Sequence, residues 1–193
     1  MKETPNFTGW QAVVLHREDG NTERLIRQLR LLGIQAAQQW APLSAAAVPD
    51  IVIVDADQGW DDLLPWSGST PSCPVVALLG SEAPGRIAWA LGQGAGAIIA
   101  KPIATSAVYP ALVMAVSIHR ERKAAGEKLQ YLEERVRLRP VVYAAVEKLQ
   151  TARGVDEECA YAILRNCAMS RRLPIEQIAA FILVGAEPLP EAG

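Results

Sequence analysis

The chain has 193 residues, half of them hydrophobic, and a formal net charge of −2. These numbers exclude a disordered chain and a strongly charged tail built for nucleic acid or an acidic membrane. The length fits one domain with a substantial appendage, or two small domains.

Residues 1–10 lack the apolar stretch of a signal peptide, and no apolar run reaches about 18 residues, so a cytoplasmic protein without membrane contact is expected. Cys73, Cys159 and Cys167 form no CxxC pair and read as reduced thiols. His16 and His119 lie far apart, which leaves no zinc pattern, and neither metal nor cofactor is expected. There is no Gly-rich phosphate loop and no Ser-His-Asp or Cys-His set. The chain does not read as an enzyme.

Along the chain, Trp10 to Leu15 predicts a buried strand. Asn21 is placed to cap a helix whose inner face is Leu25, Ile26, Leu29 and Leu32, stopped by Gly33. Ile34 to Trp40 predicts a more polar edge strand, and Ser44 to Ala47 at most one helical turn. The β-branched run Ile51-Val52-Ile53-Val54-Asp55 predicts a central strand. Pro74 to Leu79 and Gly96 to Ala100 predict two more, separated by a helix from about Ala83 to Gln93. Strands alternating with helices predict an α/β fold, a parallel five-stranded sheet covered on both faces. Trp10 and Trp89 fall in core patterns. Trp60 and Trp66 lie in the irregular segment 58–72, compatible with an interface or with partial burial over the sheet.

From Ser106 to Arg139 the pattern changes. Ala115, Ile118, Arg122, Ala125, Leu129, Leu132 and Val136 recur at alternating steps of three and four, the mark of a narrow helical seam. Mixed charges from Glu121 to Arg137 flank it. At 1.5 Å per residue such a helix spans about 50 Å, which suits a connecting rod and a homodimer seam better than packing on one small domain. A single amphipathic helix folded back on its own domain is the alternative.

Pro140 is expected to bend or break the rod and to open a new helix with Val142, Ala145, Val146 and Leu149 inside, ended by Gly154. Asp156 caps a second helix with Ala160, Ile163, Leu164 and Cys167 inside. A third, from about Pro174, buries Ile175, Ile178, Ala179 and Ile182. The expected organisation is thus 1–105, an α/β domain; 106–139, a coiled-coil helix; and 140–193, a small three-helix bundle.

The first part resembles the receiver domain of response regulators, a flavodoxin-like fold. Pro49-Asp50-Ile51-Val52-Ile53-Val54-Asp55 matches the family's third strand with Asp55 at the phosphoacceptor position. Gly94-Ala95 and Lys101-Pro102 match around the fifth strand. Where that family has two acidic residues after strand one, this chain has His16-Arg17, and its switch hydroxyl is replaced by Leu79-Gly80. Receiver chemistry needs Mg²⁺ held by several oxygens. The resemblance therefore implies a pseudo-receiver, with Asp55 and Lys101 at a degenerate site.

Residues 139–183 resemble an ANTAR domain, the RNA-binding module of antitermination regulators, through Arg139, Val142, Ala145, Leu149, Gly154, Ala160, Tyr161, Leu164, Arg165 and Ala179. The family's Lys-Gly pair reads Val146-Glu147 here. Pseudo-receiver, rod and bundle together resemble the AmiR/NasR family. The resemblance implies a dimer that binds stem-loops in leader RNA and is held back by a ligand sensor of the periplasmic-binding-protein fold.

Apart from any family, the second C-terminal helix sets Ala162, Arg165, Asn166 and Met169 opposite its inner stripe, and Arg171 and Arg172 follow. A small residue beside an arginine and an amide suits close approach to a phosphate backbone and exposed bases. Arg139 and Lys148 complete the candidate RNA-binding set. Arginines near a helix C-terminus equally complement its dipole. The alternative function is a DNA-binding or scaffold-type response-regulator output protein, although no helix-turn-helix signature stands out.

Overall fold

The structure, a computed structural model, describes residues 5–47, 49–66, 70–186 and 190. The first residues of the segment read for a signal peptide, the middle of segment 58–72 and the end of the C-terminal unit lie outside the described residues. The chain divides into two compact units, Met1–Ala124 and Ala125–Gly193.

In the first unit, β1 (Gln11–Leu15), β2 (Gln35–Gln39), β3 (Ile51–Asp55), β4 (Val75–Leu79) and β5 (Ala97–Ala100) form one parallel sheet in the order β2-β1-β3-β4-β5. The receiver-like, flavodoxin-like topology read from the sequence is present. Strands β3 and β4 are buried at every position, as their continuous apolar runs require. Alternate residues feed two cores. Val14, Ile53, Leu78 and Ile99 pack with α1 (Gly20–Leu31) and the start of α3 (Thr105–Arg153). Val52, Val54, Ala77 and Leu79 pack on the other face with α2 (Pro84–Gly92) and the 3₁₀ turn Asp61–Leu63.

The cap of α1 is corrected, and the two tryptophans left open between interface and burial are placed. Asp19, not Asn21, caps α1, accepting from Thr22 N at 2.8 Å, while Asn21 accepts from Ile103 N at 3.1 Å. The earlier residue wins because an N-cap bonds two or three positions ahead. Trp66 is buried, its Nε1 donating to the Gln93 carbonyl, whereas Trp60 is exposed and meets Trp40 edge to face at 5.3 Å.

Pro140 does not interrupt the helix: α3 is continuous for 49 residues. Proline lacks the N–H that would bond the Val136 carbonyl, but its φ suits a helix, and at this exposed position water can serve the freed carbonyl. Ala115 is wholly buried in the first core, and Ile118 is partly covered beside Gly96. A Cβ on Gly96 would come within 2.9 Å of Ala115 Cα, so glycine there permits α3 to lie against β5. The upper part of the seam thus faces its own sheet, while every residue from Arg120 to Arg137 is exposed.

In the second unit the C-terminal part of α3, α4 (Glu157–Arg171) and α5 (Ile175–Val184) share a core of Ala145, Val146, Leu149, Ala160, Leu164, Ala168, Ile178, Ala179 and Ile182. Asp156 caps α4 by accepting from Cys159 N at 2.8 Å, as expected. Gly154 ends α3 with φ +67, a conformation open to glycine at little cost.

Candidate functional site

The sheet register builds the first candidate site. Leu15 pairs with Val54, so the next residue, His16, stands beside Asp55; Leu79 pairs with Ala100, which sets Lys101 beside Gly80. These are the carboxyl ends of parallel strands, where open α/β sheets place their ligands. Asp55 is only 1 % exposed. Its Oδ1 accepts from Lys101 Nζ at 2.9 Å and from Asp57 N at 3.0 Å, and its Oδ2 lies 3.3 Å from His16 Nε2.

His16 is also buried. Its Nδ1 is 2.6 Å from the Arg17 carbonyl, an acceptor only, so Nδ1 carries a proton. The other nitrogen then accepts from Lys101, 3.4 Å away, or donates to Asp55 when the ring is charged. Thr22 closes the cluster, its hydroxyl 2.9 Å from His16 Nδ1.

Asp57 belongs to this site and was not singled out from the sequence. Its carboxylate accepts from Lys101 Nζ at 2.8 Å, from Gly80 N at 2.7 Å and from Ser81 N at 3.2 Å. Burial pushes its pKa up, but those bonds outweigh burial and hold it below the ordinary aspartate value. Burial pushes Lys101 down, and the bonds to Asp57 and Asp55 more than reverse it. The signal available in the sequence was the pair Asp55-x-Asp57 ahead of a strand end without a hydroxyl. Asp19 is committed to capping α1, and among the described residues no group of three His, Cys, Asp or Glu could hold a metal ion. The arrangement neutralises buried charge with internal partners.

The second candidate site is the outer face of α4. Ala160, Leu164 and Ala168 turn into the bundle, leaving Ala162, Arg165, Asn166 and Met169 exposed, the last at 65 %. Arg171 and Arg172 are exposed at the helix end, and Arg172 has a left-handed φ of 56. The structure therefore groups six of the eight candidate residues on and just after α4. Arg139 is exposed on α3, where it lines an open cleft with Tyr143 and Tyr161. Lys148 is committed elsewhere: its Nζ donates to the Ile182 carbonyl at 2.8 Å, closing the C-terminal end of α5. Val146 is 3 % exposed, a core residue. In the same unit Arg135 pairs with Glu176 at 3.1 Å.

On α3 the lower seam residues Leu129, Leu132 and Val136 are exposed at 57, 46 and 57 %. Arg122 donates to the Gly94 carbonyl at 2.9 Å and Ala125 is exposed.

Comparison with known proteins follows the same division. Residues 10–116 match the family described as AmiR, N-terminal, and residues 130–183 match the ANTAR domain. The chain is 30% identical over 182 residues to the aliphatic amidase regulator of Pseudomonas aeruginosa, covering 92% of each chain. It is 30% identical over 149 residues to the transcriptional regulatory protein PdtaR of Mycobacterium tuberculosis, covering 76% of this chain and 73% of that protein. Among solved structures, the signal receiver domain of an HD domain-containing protein from Pseudomonas fluorescens Pf-5 aligns with a TM-score of 0.48 at 19% identity, over 57% of this chain and 97% of that one.

Proposed function

The chain belongs to the AmiR-like, ANTAR-containing family of transcription antitermination regulators, and from that premise we propose that it is a non-catalytic, cytoplasmic, dimeric RNA-binding antiterminator. It binds stem-loops in a nascent leader transcript through the outer face of α4 and so keeps a terminator hairpin from forming. The observation that carries this is the segregation on α4. Arg165, Asn166, Met169 and the following Arg172 are exposed, while acidic Glu157 and Glu158 lie at the opposite end, in the first turn. A face that offers arginine and amide groups beside the small Ala162 suits phosphates and splayed loop bases.

Two further parts of the reading concern assembly and control. The exposed residues Leu129, Leu132 and Val136 pair with the same stripe of a second copy. A ligand-sensing partner of the periplasmic-binding-protein fold sequesters the regulator until its ligand arrives. The engagement of both Asp55 oxygens supports control by such a partner rather than by phosphoryl transfer.

Titration of the full-length protein against RNA hairpins and duplex DNA over a range of salt tests the reading. Preferential, salt-sensitive hairpin binding is expected. Stronger binding to duplex DNA would favour the DNA-output alternative.

A further inference from the structure

The bundle of the second unit carries an open cleft of about 1020 Å³ beside α3 and the starts of α4 and α5. Its walls hold the exposed side chains of Arg139 and Tyr143 from α3 and of Glu157, Glu158 and Tyr161 from α4. Tyr143 and Tyr161 are 62 and 47 % exposed, and the bundle core uses neither ring. On the same cleft Arg135 is paired with Glu176. Among the described residues, no hydrogen bond or ion pair engages the other five side chains.

Two rows of residues connect this cleft with the arginines of α4. Tyr161, Arg165 and Met169 follow one another at steps of four, so they lie in one line on the helix surface. Tyr161 is the end of that line nearest the cleft. Along α3, the aliphatic stripe of Leu132 and Val136 continues at steps of three and four into Arg139 and Tyr143. A guanidinium and a phenol continue an apolar helix seam poorly, and both suit the flat face of a base.

Charge separates base from phosphate here. Glu157 and Glu158 repel a phosphate from the cleft, but a base is neutral, and its exocyclic amino group has hydrogens to give a carboxylate. Uracil lacks that group and sets two carbonyl oxygens beside its single ring N–H.

We propose that the cleft receives one splayed loop base of the RNA, a base carrying an exocyclic amino group. The base lies against the rings of Tyr143 and Tyr161, its amino group donates to Glu157 or Glu158, and Arg139 donates to an acceptor on the same base. The flanking phosphates run outward along Arg165 and Arg172. The inference rests on the RNA-binding reading above and names the group that enters and how it is read.

The test titrates the full chain with hairpins of one fixed GC stem and short loops of adenine, cytosine or uracil alone. Adenine and cytosine loops should bind about tenfold more tightly than uracil loops. Tyr143→Ala/Tyr161→Ala should weaken binding to adenine and cytosine loops by about tenfold or more, with circular dichroism and sedimentation unchanged. Glu157→Ala/Glu158→Ala should bring the three loops to one affinity. Equal affinity of the wild type for all three loops, with binding still dependent on Arg165, overturns this inference and keeps the RNA reading. A glutamate variant that binds every loop more tightly yet keeps the preference also overturns it, since those carboxylates then only repel phosphate. A tyrosine variant that loses self-association gives the cleft to a second copy and overturns it too. Absence of salt-sensitive binding to any hairpin overturns the RNA reading and this inference together. Should the variants fold poorly, the wild-type chain irradiated with an iodocytidine loop supplies the answer. A cross-link at Tyr143 or Tyr161 supports the site, and cross-links confined to other residues reject it.

Discussion

Lys101 Nζ lies 2.8 Å from Asp57 Oδ2, a bond that joins the end of β5 to the turn after β3. Through Gly80 N and Ser81 N the same carboxylate also fixes the turn that leads from β4 to α2. One aspartate thus ties together three consecutive strand ends of the sheet.

Asp57→Ala should destabilise the first unit by about 1–3 kcal/mol, since it removes charge-assisted bonds from a partly buried lysine. The pH dependence follows from the depressed pKa. A carboxylate whose folded value lies below its ordinary 3.8 contributes stability above that value and loses it as pH falls through the folded value. Urea melts should show the largest gap between wild type and variant near neutral pH, narrowing below about pH 4. A gap that widens in acid would contradict the assignment.

Asp55 should not accept a phosphoryl group. It is nearly inaccessible, and its oxygens already face Lys101, the Asp57 amide and His16. Incubation with acetyl phosphate and Mg²⁺ should leave the intact mass unchanged. Asp55→Ala should lower stability by about 1–3 kcal/mol, because it removes a buried charge-assisted bond while Asp57 still pairs with Lys101, and hairpin binding below the melting temperature persists.

The two ends of the expected seam should respond differently. Leu129→Asp/Leu132→Asp alters exposed side chains, so the protein should fold and sediment as a monomer. Ala115→Asp puts a carboxylate into a wholly buried position against Gly96 and should unfold the first unit, read as loss of its cooperative melt.

Much of this was legible in sequence. The runs at Ile51–Asp55 and Val75–Leu79 could be little other than central strands, and the caps at Asp156 and Gly154 announced the ends of the C-terminal helices. What escaped depended on distance in space. The seam spacing continues unbroken through Ala115, and only the approach of β5, permitted by Gly96, turns that residue inward. Periodicity cannot tell a partner's helix from the chain's own sheet. Lys148 read as an RNA-binding cation, and its bond to the end of α5 shows only in the fold, just as Asp57 acquires its partners only when β4 and β5 are set beside β3.

Arg172→Gly should separate stability from function. Arg172 holds a left-handed φ of 56 at the C-cap of α4, which costs a non-glycine residue about 1 kcal/mol. Glycine should raise the melting temperature of the second unit and, by removing a cation, weaken hairpin binding. An improvement in both would remove Arg172 from the RNA face.

The contrast between Arg165 and Lys148 tests that face most directly. Both are basic and exposed by residue, but Lys148 spends its ammonium on the Ile182 carbonyl while Arg165 is exposed on α4, off the buried stripe of Ala160, Leu164 and Ala168. Lys148→Ala should fray α5 and cost about 1–2 kcal/mol in stability, with hairpin affinity nearly unchanged once the protein is folded. Arg165→Ala should leave the melt unchanged and weaken RNA binding. If Arg165 meets phosphate, all hairpins should weaken alike and the slope of log K against log salt should fall by about one unit. If it stacks on a loop base, the loss should follow loop sequence and amount to about 1–3 kcal/mol. Should Lys148→Ala abolish binding while Arg165→Ala does not, the contact surface lies on α3 and α5, and the outer face of α4 is only solvated.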